Sequence, residues 1–151
     1  HVYSLETVCL RYFNIFGPRQ DPASPYSGVI SIFARLMIDG VAPTIHGDGE
    51  QSRDFTCVDN VVEANLAALA VPVAAGEVYN IGTGRGVTVN ELVTSLNQVL
   101  GSDLAPKYGP SRAADVRASV ADIGRARREL GYEPRVSFEE GLQQTVDWMR
   151  A

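Results

Sequence analysis

The chain is poor in several things, and each scarcity excludes something. It has one lysine, Lys107, among 13 basic residues, with two histidines, two cysteines, and no apolar run approaching ~18 residues. Without such a run there is no transmembrane helix, so no membrane partner is expected. The N-terminus carries neither the charged region nor the apolar stretch of a signal peptide, and a cytoplasmic location is expected. Cys9 and Cys57 each sit inside an apolar run, which reads as buried thiols rather than a disulfide framework. His1 and His46 cannot complete a metal site with two separated cysteines, so no metal is expected. A net charge of -5 argues against nonspecific nucleic-acid binding. There is no G-x-S-x-G elbow, no Cys–His spacing for nucleophilic catalysis and no P-loop.

With 151 residues, 45% hydrophobic and 21% charged, the sequence reads as one globular domain or a large piece of one. That length can bury about two-thirds of its unfolded surface. It opens at His1 and reaches an extended run within a few residues, so it reads as beginning partway through a longer protein. Its positive charge is almost wholly arginine. Arginine suits bidentate recognition of phosphate and carboxylate, although a compositional bias of the source genome is the simpler cause.

Hydrophobic patterning predicts strand–helix alternation, an α/β chain. Thr7 to Phe13 is nearly continuous in apolarity and predicts a strand buried on both faces. Gly17-Pro18 ends it, and Asp21 to Pro25 reads as a loop. A helical stripe from Gly28 to Asp39 closes at Gly40. Pro43 to His46 and Asp54 to Val58 are short extended runs, and Asp59 is the expected N-cap of a helix from Asn60 to Ala70. Val78 to Ile81 predicts a second sheet strand. Thr88/Glu91 and Ser137/Glu140 are capping boxes, each opening a helix. A further helix is expected from Ala121 to Leu130. At most two of the strands look like members of a parallel sheet. Two cannot bury both their faces, so the remaining strands are expected outside this sequence.

Gly82-Thr83-Gly84-Arg85-Gly86 follows a strand and precedes a helix. The third glycine of a dinucleotide fingerprint would fall at Val87, so a plain strand-to-helix turn is the preferred reading. Glu139 and Glu140 adjoin a cap and read as solvated. What remains is a set of arginines on ordered elements. Arg53 follows a glycine-rich turn, and Arg112 stands three residues before Asp115. Any single one of them is ordinarily a surface charge.

The stretch Leu10-Arg11-Tyr12-Phe13-Asn14-Ile15-Phe16-Gly17-Pro18-Arg19-Gln20 resembles the extended short-chain dehydrogenase/reductase family, and most closely its UDP-hexose 4-epimerases. His46 to Phe55, Val58 to Val61, Tyr79 to Gly82, Arg112 to Val116 and Leu130 to Pro134 continue the likeness in order, from about residue 5 to residue 149. The resemblance implies the C-terminal part of an extended Rossmann-type fold: the last strands of a parallel sheet plus a small α/β substrate-binding domain, spanning residues 1–151. It implies NAD as cofactor of the parent enzyme and a UDP-sugar as ligand. The partners would be the N-terminal NAD-binding half and, if oligomeric, further copies of the chain. The family's Tyr-x-x-x-Lys pair is absent, because Asp103 stands four residues before the lone lysine. No NAD site, no catalytic residue and no activity of the chain alone are therefore expected.

By the same resemblance Asn14 meets the substrate diphosphate, and the backbone at Gly28 and Val29 approaches a phosphate. Thr44 meets the uracil through its backbone. His46 stacks on the base, the alternative being a turn residue before Gly47. Asn14 can instead satisfy local backbone. Arg53 and Arg112 clamp the diphosphate, and Asp115 accepts from ribose hydroxyls. Ser119 lies beside the sugar 2-substituent, where a small residue leaves room for an acetamido group. Ala114 stands where glycine is common, which would tilt the Arg112–Asp115 loop. Two other functions remain open. One is the C-terminal part of a nucleotide-sugar 4,6-dehydratase or decarboxylase. The other is a noncatalytic nucleotide-sugar-binding or interaction module. Asp48-Gly49-Glu50 and Ser119 favour the epimerase.

Overall fold

In the computed structural model the described residues are 6–24, 27–71, 75–113 and 115–151. His1 to Ser4, Pro25 of the loop and Ala114 lie outside them. The strand expected over Thr7–Phe13 is β1 (Cys9–Tyr12), and a separate strand that was not expected, β2 (Asn14–Phe16), follows it in a different sheet. β1 pairs in parallel with the later strand Val78–Ile81, Cys9 opposite Val78 and Tyr12 opposite Ile81.

The stripe after Gly28 becomes helix α1 (Val29–Ile38), with Ile30, Phe33 and Met37 buried. Three short strands follow: β3 (Thr44–His46), β4 (Ser52–Arg53) and β5 (Phe55–Cys57). β5 pairs in parallel with β2 and runs straight into α2 (Val58–Ala70). This corrects the expected cap. Cys57, not Asp59, is the N-cap residue, and Asp59 falls in the first turn. The strand enters the helix with no intervening loop, so the polar residue arrives too late to cap it. An acidic side chain there still faces the positive end of the helix dipole.

β6 (Val78–Ile81) is followed by β7 (Val87–Thr88) and then α3 (Val89–Leu100), whose Thr88/Glu91 capping box forms as expected and whose end is a left-handed Gly101. β8 (Lys107–Gly109) pairs in parallel with β3, and β9 (Ala118–Ser119) pairs in parallel with β4. The expectation of at most two parallel strands is therefore too low. These strands are two or three residues long, below the length at which alternation can be read. Helix α4 covers Gly124–Leu130, three residues shorter than the Ala121–Leu130 expected, and the backbone N–H of Ala121 ahead of it donates to the Asp54 carboxylate. α5 (Phe138–Arg150) opens on the Ser137/Glu140 capping box and buries Phe138, Leu142, Val146 and Met149, as its spacing demands.

Two cores result. The larger lies between α1, α3 and α5 and the β2–β5 pair, with Phe16, Phe55 and Phe138 in mutual contact at ring-centroid separations of 5.9–6.5 Å. The smaller joins Tyr79 and Ile81 of β6 to Ala121, Ile123, Leu130 and Tyr132. β1 departs from expectation. Leu10 packs on the smaller core, but Cys9, Arg11 and Tyr12 are exposed. Cys57 alone of the two thiols is buried. Cys9 and Arg11 share one exposed face of β1, while Tyr12, on the face of Leu10, donates its hydroxyl to Asn65 of α2 at 3.1 Å. α2 likewise leaves Val62, Leu66 and Leu69 exposed, Leu69 at 85%.

Candidate functional site

A cavity of about 780 Å³ opens where α1, the β2–β5 pair and the β3–β8 pair meet. That lies within the roughly 300–1,000 Å³ usual for small-molecule sites. Asn14 is the first residue of β2, opposite Phe55 in the ladder, and its exposed side chain lies on the cavity wall. Gly28 is the N-cap of α1 and Val29 its first residue. Gly28 supplies no side-chain acceptor and no acidic residue occupies the first turn, so nothing there competes with an anion for the helix N-terminus.

Thr44 and His46 come from β3, opposite Lys107 and Gly109. The Nδ1 of His46 is 3.3 Å from the Pro110 carbonyl, and Gln51 Nε2 donates to the His46 carbonyl at 2.8 Å. Arg53 projects from β4, Arg112 from the segment after β8, and Asp115 from further along that segment. All eight of these residues line the one cavity. Ser119 does not. It pairs with Arg53 across the β4–β9 ladder, and its carbonyl accepts from the Asp54 N–H.

The two predicted clamp residues differ in state. The Arg53 guanidinium is already bonded: Nη2 to the Asp115 carboxylate at 2.5 Å, and Nη1 to the carbonyls of Ser52 and Val116. The Arg112 side chain has no hydrogen-bond or ion-pair partner among the described residues, and it is exposed. Asp115 was assigned to a ribose, yet here it holds Arg53.

Four polar lining residues were not singled out from sequence: Gln20, Ser27, Gln51 and Lys107. Gln20 Oε1 is buried and has no hydrogen-bond partner among the described residues, which leaves it an available acceptor. Gln20 and Gln51 both fall inside stretches that carry the family likeness, so the signal was present. Lys107 had been read only for the failed Tyr-x-x-x-Lys spacing.

Behind Arg53 stands a residue that sequence reading passed over. Asp54 is fully buried, and its carboxylate accepts the N–H of Thr83 (2.8 Å), the Thr83 hydroxyl (2.7 Å), the N–H of Gly84 (2.9 Å) and the N–H of Ala121 (3.1 Å). This decides the question of the glycine-rich turn. In a dinucleotide site the turn's N–H groups would face a pyrophosphate, whereas here they face the chain's own carboxylate. A Cβ on Gly82 would fall 2.5 Å from Ala121 Cβ and 2.6 Å from Asp54 Oδ2, so internal packing already demands glycine. The turn does not fit NAD. Among the described residues there is also no cluster suited to a metal ion and no helix long and apolar enough to cross a membrane.

The NAD dependent epimerase/dehydratase family matches residues 1–82, more than half of the chain. A UDP-glucose 4-epimerase of Mycolicibacterium smegmatis is 37% identical over 99% of this chain and 47% of its own length. Among solved structures, the UDP-glucose 4-epimerase of Thermotoga maritima, determined with UDP-glucose, is 49% identical with a TM-score of 0.92, over 98% of this chain and 47% of that one. The UDP-N-acetylglucosamine 4-epimerase of Methanobrevibacter ruminantium, in complex with UDP-N-acetylmuramic acid, is 41% identical with a TM-score of 0.90, again over 98% and 47%. The chain thus spans about half the length of the relatives it matches, and the fold it shares with them is of Rossmann type. A family match over more than half of the chain, with relatives aligned along nearly all of it in sequence and in backbone, leads to a single assignment: the chain belongs to the NAD dependent epimerase/dehydratase family.

Proposed function

We propose that the cavity grips the uridine diphosphate of a UDP-hexose, and that the chain is the substrate-binding C-terminal part of an NAD-dependent UDP-hexose 4-epimerase. The observation that carries this is convergence. Asn14, the N-terminus of α1, Arg53 and Arg112 come from four separate stretches of chain and line one cavity. A diphosphate there would receive charge-assisted bonds worth roughly 1.5–3 kcal/mol each from the arginines. The backbone N–H groups at Val29 and Ile30 would add a helix-terminus contact. Thr44 and His46 form the wall proposed for uracil. The unpartnered Gln20 Oε1 is an acceptor suited to a hydroxyl or N–H of the ligand.

NAD, hydride transfer and the catalytic base are assigned to the half of the relatives' length that this chain does not span. The exposed face of β1 and the apolar side chains of α2 are surfaces suited to contact with that half. This chain's contribution is to hold the nucleotide while the sugar is free to turn about its diphosphate linkage. Ser119 is proposed to admit an acetamido group, which would extend the substrates to UDP-N-acetylhexosamines. The family description also covers dehydratases, which would share the diphosphate grip and differ in acid/base groups.

Calorimetric titration of the chain with UDP-glucose, UDP and uridine tests the reading. Saturable binding of the first two, with uridine much weaker, is expected. If UDP binds no better than uridine, the cavity is no diphosphate site. Turnover of UDP-glucose by the chain alone would contradict the division of labour.

A further inference from the structure

Asp115 occupies a place that the proposed ligand would need. Arginine has five N–H donors. At Arg53 three of them are committed, two on Nη1 to the carbonyls of Ser52 and Val116 and one on Nη2 to Asp115. The pair is half-buried, with side-chain exposures of 17% for Arg53 and 35% for Asp115. It is therefore less screened than an ordinary surface pair. Asp115 and Val116 hold the guanidinium from the same segment that carries Arg112, whose own side chain is unpartnered among the described residues. The other cavity cation, Lys107, also lacks a side-chain partner among the described residues.

We propose that Asp115 is an internal competitor for Arg53: an anion that a single phosphate does not displace and a diphosphate does. This rests on the diphosphate reading above. A lone phosphate finds Arg112 and the helix N-terminus without disturbing Arg53, and gains only their weak, solvent-screened attraction. An anion long enough to bridge Arg112 and Arg53 replaces the Asp115 carboxylate with a phosphoryl group carrying more charge and more acceptor oxygens. Because Arg112 and Asp115 share one segment, capture of the ligand by the first and release of the second are coupled. The carboxylate that holds Arg53 is thereby freed toward the ligand.

Inorganic pyrophosphate and inorganic phosphate, free of ribose and base, isolate this effect. Each is titrated calorimetrically at fixed ionic strength into the chain, into Asp115→Asn, into Arg53→Gln and into the double variant. In the unaltered chain pyrophosphate is expected to bind more tightly than phosphate. Asp115→Asn is expected to raise pyrophosphate affinity roughly three- to tenfold, the size of a modest ion pair, and phosphate affinity by less. The gain is expected to vanish when Arg53 is already Gln. Unchanged or weaker pyrophosphate binding in Asp115→Asn overturns the proposal. So does a gain that survives Arg53→Gln, which would mark it as a general charge effect. If no form binds pyrophosphate, the proposal also falls, while UDP binding by the unaltered chain would leave the cavity reading standing.

Discussion

The Asp54 carboxylate accepts both the backbone N–H and the hydroxyl of Thr83, at 2.8 and 2.7 Å, from 29 residues away in sequence and with no exposure to solvent. Its other oxygen holds Gly84 and Ala121. One side chain thus ties the end of β6 and the entry to α4 to the strand that carries Arg53. Truncating it leaves three backbone N–H groups without that acceptor, the one at Ala121 buried inside the protein. Asp54→Ala is expected to cost about 3–5 kcal/mol in urea unfolding, whereas Asp59→Ala, at an exposed position that caps nothing, is expected to cost well under half of that. Equal costs would show that Asp54 is not the junction described.

Gly141 lies inside α5, where alanine would ordinarily stabilise by about 1 kcal/mol. Here a Cβ would stand 3.0 Å from Cys57 Cβ and 3.0 Å from Phe16 Cζ, and both residues are buried. Phe16 is held by Phe55 and Phe138 and has little freedom to withdraw. Gly141→Ala is therefore expected to lower the thermal midpoint, in keeping with overpacking costs of about 1–3 kcal/mol. A raised midpoint would mean that the α5–β5 contact is looser than the structure has it.

Loss of a clamp residue separates phosphate from base recognition. Arg112→Gln and Arg53→Gln are each expected to weaken UDP binding about tenfold or more, from the worth of a charge-assisted bond. Uridine binding is expected to change little. Parallel losses for uridine and UDP would mean that the arginines support the fold rather than the diphosphate.

Acid acts on the capping box of α5. The N–H and hydroxyl of Ser137 bond the Glu140 carboxylate and hold its pKa below the usual 4.5. A carboxyl with a depressed folded pKa adds stability that is present above 4.5 and is lost as pH falls through the lower folded value. Glu140→Gln keeps the geometry without the titration. The stability difference between unaltered chain and variant is expected to be flat above about pH 5 and to shrink below 4.5. A difference that stays constant down to pH 2 would show that the charge contributes nothing.

Much of the chain was legible locally. Both capping boxes, the glycine ends of α3 and α4, and the buried stripe of α5 follow from residues within one or two turns of each other. The family motifs likewise pointed to eight residues that line the cavity. What local reading could not reach were the strands β4, β7, β8 and β9, which exist only because distant partners pair with them. It also missed the roles of Asp54 and Gln20, whose environments are built from remote segments.

The sequence by itself determined the helices, the absence of a Tyr-x-x-x-Lys pair and the family, because these depend on spacing along the chain. Only the tertiary structure decided that the glycine-rich turn serves Asp54, that Cys9 is exposed, and that Arg53 is held by Asp115 while the Arg112 side chain has no partner among the described residues. Those outcomes depend on which carboxylate reaches which donor across dozens of residues, and hydrogen bonds and ion pairs act over a few ångströms of space without regard to position in the chain.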